Sequence, residues 1–167
     1  MSVTVSKTGS RARVMLVDAL LLVFICAVPS LSHVFAVPFY KLNPMAMCLL
    51  AGMLLVRWRG NGYLLAVLLP VTSMAVSGMP VPSVCVCMVA ELLTVVGLSG
   101  LAERRVGAFA SMLLALLSGK VVYYLLKAVL VSPAVLIGTD VWLQMTTMVA
   151  FSALYAVAAG RRGARKA

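Results

Sequence analysis

SGMPVPSVCVCMVAELLTVVGLSGLAERR, residues 77–105, decides how the rest of the chain is read. It opens with a turn, SGMPVP, and Pro82 suits the first turn of a new helix because its missing N–H would find no helical partner there anyway. From Pro82 to Leu101 the residues are overwhelmingly apolar, and Glu103, Arg104 and Arg105 close the run. About 20 such residues match the roughly 30 Å hydrocarbon core of a bilayer. One residue spoils the pattern: Glu91 sits in the middle.

Runs of this kind recur along the whole chain. Hydropathy and breakers predict six helices, at 14–34, 44–58, 62–77, 82–101, 106–130 and 139–160. VPFYKLNP, RWRGNG, SGMPVP, AERRVG and VSPAVLIG separate them. Of the 167 residues, 63% are hydrophobic and 11% charged. A soluble domain carries about 25% charged residues. The expectation is an all-α integral membrane protein, a six-transmembrane-helix bundle. Its single membrane domain covers 14–160, after a cytoplasmic segment 1–13 and before a basic cytoplasmic tail 161–167.

The basic residues fix an orientation. Lys7, Arg11 and Arg13 precede the first run; Arg57 and Arg59 follow the second; Arg104 and Arg105 follow the fourth; Arg161, Arg162, Arg165 and Lys166 follow the sixth. With six spans, these eleven of the fourteen Lys and Arg fall on one side. By the positive-inside rule that side is cytoplasmic, so both termini face the cytoplasm of a multi-pass protein in the cell inner (plasma) membrane. The net charge of +10 then follows from topology. A nucleic-acid partner would need a contiguous basic face, and these charges are scattered loop ends. The basic residues, the first apolar run and its small-residue end SHVFA also read as a secretory signal peptide, but Asp18 and the length of the run favour an uncleaved helix.

Catalytic and metal motifs are missing from the reading. Cys26, Cys48, Cys85 and Cys87 all lie in apolar runs, where cysteine behaves as a small core residue. Cys85 and Cys87 fall on opposite sides of a helix, and the only histidine, His33, is distant in sequence. SGK at 118–120 resembles the tail of a phosphate-binding loop, but Leu114 stands at the first glycine position and Val121 at the hydroxyl position. The chain is therefore expected to have no cofactor, no metal and no enzyme activity of its own.

Ionisable residues inside a span usually face the bundle interior and have partners. Glu91 lies about 13 Å from the outer end of the fourth helix, and Lys120 about 15 Å from the outer end of the fifth, at 1.5 Å per residue. They reach one depth. Lys120, Tyr123, Tyr124 and Lys127 follow i, i+3, i+4, i+7 and share a face. Asp140, Gln144 and Thr147 follow i, i+4, i+7 in the sixth helix. The expected substrate-binding set is Glu91, Lys120, Tyr123, Tyr124, Lys127 and Gln144, lining a pocket open to the outside. Tyr123, Tyr124 and Trp142 are candidates to stack on a ring. Read blandly, Glu91–Lys120 only fixes helix register, Lys127 snorkels to headgroups and the tyrosines belong to an interfacial belt.

An ordered set of short motifs runs through residues 40–127: Leu49-Leu50-Ala51-Gly52, Pro70, Gly78-Met79-Pro80, Glu91-Leu92, Gly97-Leu98-Ser99-Gly100-Leu101 and Gly119-Lys120-Val121-Val122-Tyr123. In that order and spacing it resembles the substrate-binding S component of energy-coupling factor (ECF) vitamin transporters. Val96 stands where that pattern has Tyr, NPMAM replaces a Met-His pair, and Lys120 replaces an Arg. The resemblance implies a six-helix subunit that captures a vitamin or micronutrient from outside. It also implies a transmembrane coupling subunit, contacted through small first-helix residues such as Ala19, Cys26, Ala27 and Ser30, and two cytoplasmic ATPase subunits as partners. The alternative is a non-transport membrane scaffold of the cell-shape type, which would bind no ligand.

Overall fold

The computed structural model describes residues 3–35, 42–56, 59–131 and 141–164. Among the described residues there are six α-helices and no strand: α1 (Val3–Phe35), α2 (Pro44–Leu55), α3 (Arg59–Ser77), α4 (Pro82–Val106), α5 (Ala108–Leu130) and α6 (Val141–Ala164). Five of them, all but α2, are long and apolar enough to cross a membrane. That fits a multi-pass membrane protein. Their lipid-compatible faces are plain in α1, where Met15, Leu16, Leu20 and Val23 are all exposed.

The helices outrun the apolar stretches. α1 begins well before residue 14, α4 continues to Val106 through the AERR segment, and α6 continues to Ala164. Once a helix is nucleated each further residue adds a bond, so propagation runs on until a breaker stops it. Basic residues also suit a helix C-terminus, where the dipole is negative. The expected break at RWRGNG shortens for another reason. Gly60, Asn61 and Gly62 are already helical, and Asn61 reaches across to α1.

α2 departs most from expectation. It spans 12 residues, about 18 Å at 1.5 Å per residue, too short to cross alone. Its first residues are not at a bundle end. Asn43, its N-cap, touches Glu91, nine residues into α4, a depth of about 13 Å. α2 is thus sunk into the bundle, and Met45, Ala46, Cys48, Leu49, Leu50 and Gly52 are buried. Burial at so many neighbouring positions means that it is covered on several sides rather than along one stripe.

The packing order closes a ring. α4 lies between α3 and α5; α5 packs on α6; α3 packs on α1 and α2; and α2 touches α1 and α6. Leu49, Leu65, Ala66, Leu69, Leu92, Val95, Met112 and Ala115 form the centre of the core. Central placement of α4 lets Cys85 and Cys87, on opposite sides of the helix, both be buried, as expected of small core residues. All four cysteines are free thiols. Several hydroxyls bond back to carbonyls of their own helix, among them Ser32 to Val28, Thr94 to Ala90 and Ser152 to Met148. That satisfies them without water or a partner helix.

Near the other end of the bundle Asn61, 1% exposed, donates through Nδ2 to Asp18 Oδ1 at 2.9 Å. This buried bond ties α3 to α1. Asn61→Leu leaves the Asp18 carboxylate buried without that donor, which costs about 1–3 kcal/mol. The expected result is a lower midpoint of thermal unfolding in detergent. The double variant Asp18→Leu/Asn61→Leu should recover most of the loss, because no polar group is then stranded.

Candidate functional site

The hairpin of α4 and α5 builds the site. Gly107 is the single residue between them and serves as C-cap of one and N-cap of the other, at φ 82 and ψ 167. Only glycine visits that backbone region freely. So short a connection lays the two helices side by side, and it brings Glu91, 16 residues before Gly107, level with Lys120, 13 residues after it. Gly119 permits the close approach. A Cβ there would lie 2.8 Å from Val95 Cγ2 and 3.0 Å from the Glu91 carbonyl oxygen.

Lys120 Nζ lies 2.7 Å from Glu91 Oε1. Glu91 is 3% exposed, so the pair is sequestered within the bundle. The same Oε1 accepts a second hydrogen bond, from Asn43 Nδ2 at 3.3 Å. Asn43 is held for this by its place at the start of α2. It adopts the left-handed conformation, φ 51 and ψ 60, which asparagine tolerates better than most residues. Its Oδ1 accepts from the Ala46 N–H at 3.4 Å, and Pro44 follows as the first helical residue. One side chain therefore caps α2 and joins it to the ion pair. Sequence reasoning missed Asn43. The signal was available in LNPMAM, since Asn followed by Pro is an N-cap signature.

The four residues on the expected α5 face do not act as one set. Tyr123 is buried, and the ammonium groups of Lys120 and Lys127 lie 5.0 Å and 5.3 Å from its ring centre. Those distances allow cation–π attraction. Tyr124 packs edge-on against Tyr123, with ring centres 5.3 Å apart. Its hydroxyl turns to α6 and donates to Gln144 Oε1 at 2.7 Å. Glu91, Lys120, Tyr123 and Lys127 thus meet along the α4–α5 seam, while Tyr124 and Gln144 bridge α5 to α6.

Outside that set stand Trp142, a candidate to stack on a ring, and Thr147, which shares the α6 face of Gln144 by spacing. Trp142 is 86% exposed, so it points out of the bundle and cannot stack on anything held between the helices. Its position at the start of α6 matches an interfacial anchor. Thr147 folds back onto the Gln144 carbonyl at 2.8 Å. Asp140 lies outside the described residues.

A cavity of about 360 Å³ adjoins the seam between α5 and α6. Lys120, Tyr124 and Gln144 are its polar residues, and Leu117, Val121, Leu125, Ala128, Met145 and Met148 complete the wall. The surface these residues open to the cavity is almost wholly apolar, and its size is within the range of small-molecule sites. A second cavity, of about 280 Å³, lies toward the Gly107 end, bounded by Val56, Tyr63, Ser99, Glu103 and Tyr155 among others. No family model, curated protein or solved structure matches this chain.

Proposed function

We propose that this chain is the substrate-binding S component of an ECF-type importer, a six-span subunit with both termini in the cytoplasm. It captures a vitamin or related micronutrient from outside and passes it on with a transmembrane coupling subunit and two ATPases. The observation that carries this reading is the polar group sunk in an apolar bundle: Lys120 is shared between the Glu91 ion pair and the wall of the 360 Å³ cavity. A residue holding only helix register has no need of a cavity beside it. The sunken start of α2 adds support, because it brings Asn43 to the same place from a third helix. The order of motifs from Leu49 to Tyr123, by its resemblance to that family, supports this choice of class. Counting α2 as a sixth crossing rests on its depth and on the side to which the eleven basic residues fall.

The test is energy coupling. Cells expressing the chain alone should bind the substrate without accumulating it. Co-expression with a coupling subunit and its ATPases should produce accumulation that a Walker-lysine substitution in the ATPases abolishes. A membrane scaffold of the cell-shape type predicts no accumulation under either condition, and a cell-shape defect on deletion.

A further inference from the structure

We propose a binding site for one monovalent alkali cation where α1, α2 and α3 meet, held by Asp18, Asn61 and the C-terminal carbonyls of α2. It stands apart from the Lys120 cluster and does not depend on import. The first ground is a buried oxygen without a partner. Asn61 is 1% exposed and donates through Nδ2 to Asp18, but its own Oδ1 has no hydrogen-bond partner. An unsatisfied buried acceptor calls for a water or an ion. Asp18 is itself buried and lies inside the apolar span Ala12–Ser32 of α1, where an ionisable residue points to function. Oδ1 and Nδ2 of one amide stand about 2.2 Å apart. Added to the 2.9 Å bond, this places Asn61 Oδ1 within about 5 Å of Asp18 Oδ1. A cation that takes oxygen ligands at about 2.3–2.6 Å, the range for calcium and close to that for sodium, reaches both.

The end of α2 is the second, independent ground. Gly52 packs against the side-chain ends of Leu21 and Leu65. Asp18 lies three residues before Leu21, Asn61 four before Leu65, and Val56 four after Gly52. The short link from α2 to α3 makes that pair antiparallel, and the shared levels of Asp18 with Asn61 and of Leu21 with Leu65 set α1 parallel to α3. One turn beyond Gly52 the last residues of α2 therefore come level with Asp18 and Asn61. Val56 is buried, and its N–H makes the last bond of the helix, to the Gly52 carbonyl. The carbonyls of Met53, Leu54 and Leu55 are left without a partner inside α2, at the negative end of its dipole. A carboxylate, an orphan amide oxygen and a helix C-terminus are all acceptors, so what they can share is a cation. Half-helices in membrane transporters coordinate sodium with the same kind of end. A water would satisfy Asn61 Oδ1 but would leave the Asp18 charge opposed to the helix end. The single carboxylate suits a single positive charge, whereas calcium sites gather several carboxylates. The cavity of about 280 Å³ borders Met53, Val56 and Gly62, which gives the ion a path from the Gly107 end.

The experiment is thermal unfolding of the full chain in neutral detergent, at one pH and one chloride concentration, with sodium, potassium, magnesium or choline as the cation. Sodium or potassium should raise the midpoint saturably over choline, by about 3 °C or more at ten times the half-saturating concentration. Asp18→Leu/Asn61→Leu should unfold at one midpoint in all four salts. Glu103→Gln, which removes the acid beside the cavity at the same end of the bundle, should keep the wild-type response. Equilibrium dialysis of the wild type against radioactive sodium or rubidium should saturate at one ion per chain, a readout that stands even where the double variant does not fold. No midpoint shift together with no bound ion overturns the proposal. That is the result where a water fills the site, or where a basic side chain supplies the charge, such as Arg57 or Arg59, which stand between Leu55 and Gly60 in the sequence. An equal shift in the folded double variant also overturns it, and a larger shift with magnesium than with sodium and potassium overturns the monovalent assignment.

Discussion

Lys120→Met should destabilise the protein by about 3–5 kcal/mol, because it strands the Glu91 carboxylate inside the bundle. Glu91 is 3% exposed, and its Oε1 would keep only the 3.3 Å bond from Asn43. Glu91→Gln removes the opposite charge and should cost less. The Lys120 side chain is 15% exposed, more than that of Glu91, and retains the Tyr123 ring beside it. The double variant Glu91→Gln/Lys120→Met should recover stability relative to Lys120→Met alone, since residues in direct contact are not additive. Thermal unfolding of the four proteins in one detergent reads this coupling. Losses that simply add would mean that the 2.7 Å contact contributes nothing to the fold.

Gly119→Ala is the second large effect. The new methyl would stand 2.8 Å from Val95 Cγ2 and 3.0 Å from the backbone oxygen of Glu91. The backbone cannot step aside as a side chain end can, so α4 and α5 must separate. Overpacking of this kind costs about 1–3 kcal/mol, and it pulls Lys120 from Glu91 as well. Gly100→Ala is the matched control, since a Cβ there meets nothing within 4 Å. It should be neutral or stabilising by up to about 1 kcal/mol from helix propensity. Unfolding of both variants checks the pair, and equal behaviour would contradict the close α4–α5 approach.

Much of this architecture is legible in the residues because lipid-compatible helices advertise themselves by length and composition. Pro82, the SGMPVP turn and Gly107 mark the limits of α4 to within a few residues. The meeting of Glu91 and Lys120 follows from counting depth along two helices joined by a short turn. Legibility fails where depth is not set by a bundle end. α2 reads as a run to residue 58 because apolar residues continue past Gly52, yet it ends at Leu55 and begins beside Glu91. Nothing local marks a helix as sunken. The Asp18–Asn61 bond joins residues 43 apart, and only tertiary register brings them together. Tyr124 and Tyr123 share a helical face by spacing, but their neighbours differ, so one lies under the lysines and the other reaches Gln144.

The central claim is that the cluster around Lys120 holds a ligand rather than merely fixing helix register. Mass spectrometry of small molecules released from folded protein tests it most directly, with wild type compared against Glu91→Gln/Lys120→Met, both purified in mild detergent from the same growth medium. The account predicts a small molecule retained by the wild type and depleted at least tenfold in the double variant, which keeps its fold. Equal retention by both proteins, or a folded wild type that releases nothing from a medium rich in vitamins, would contradict it.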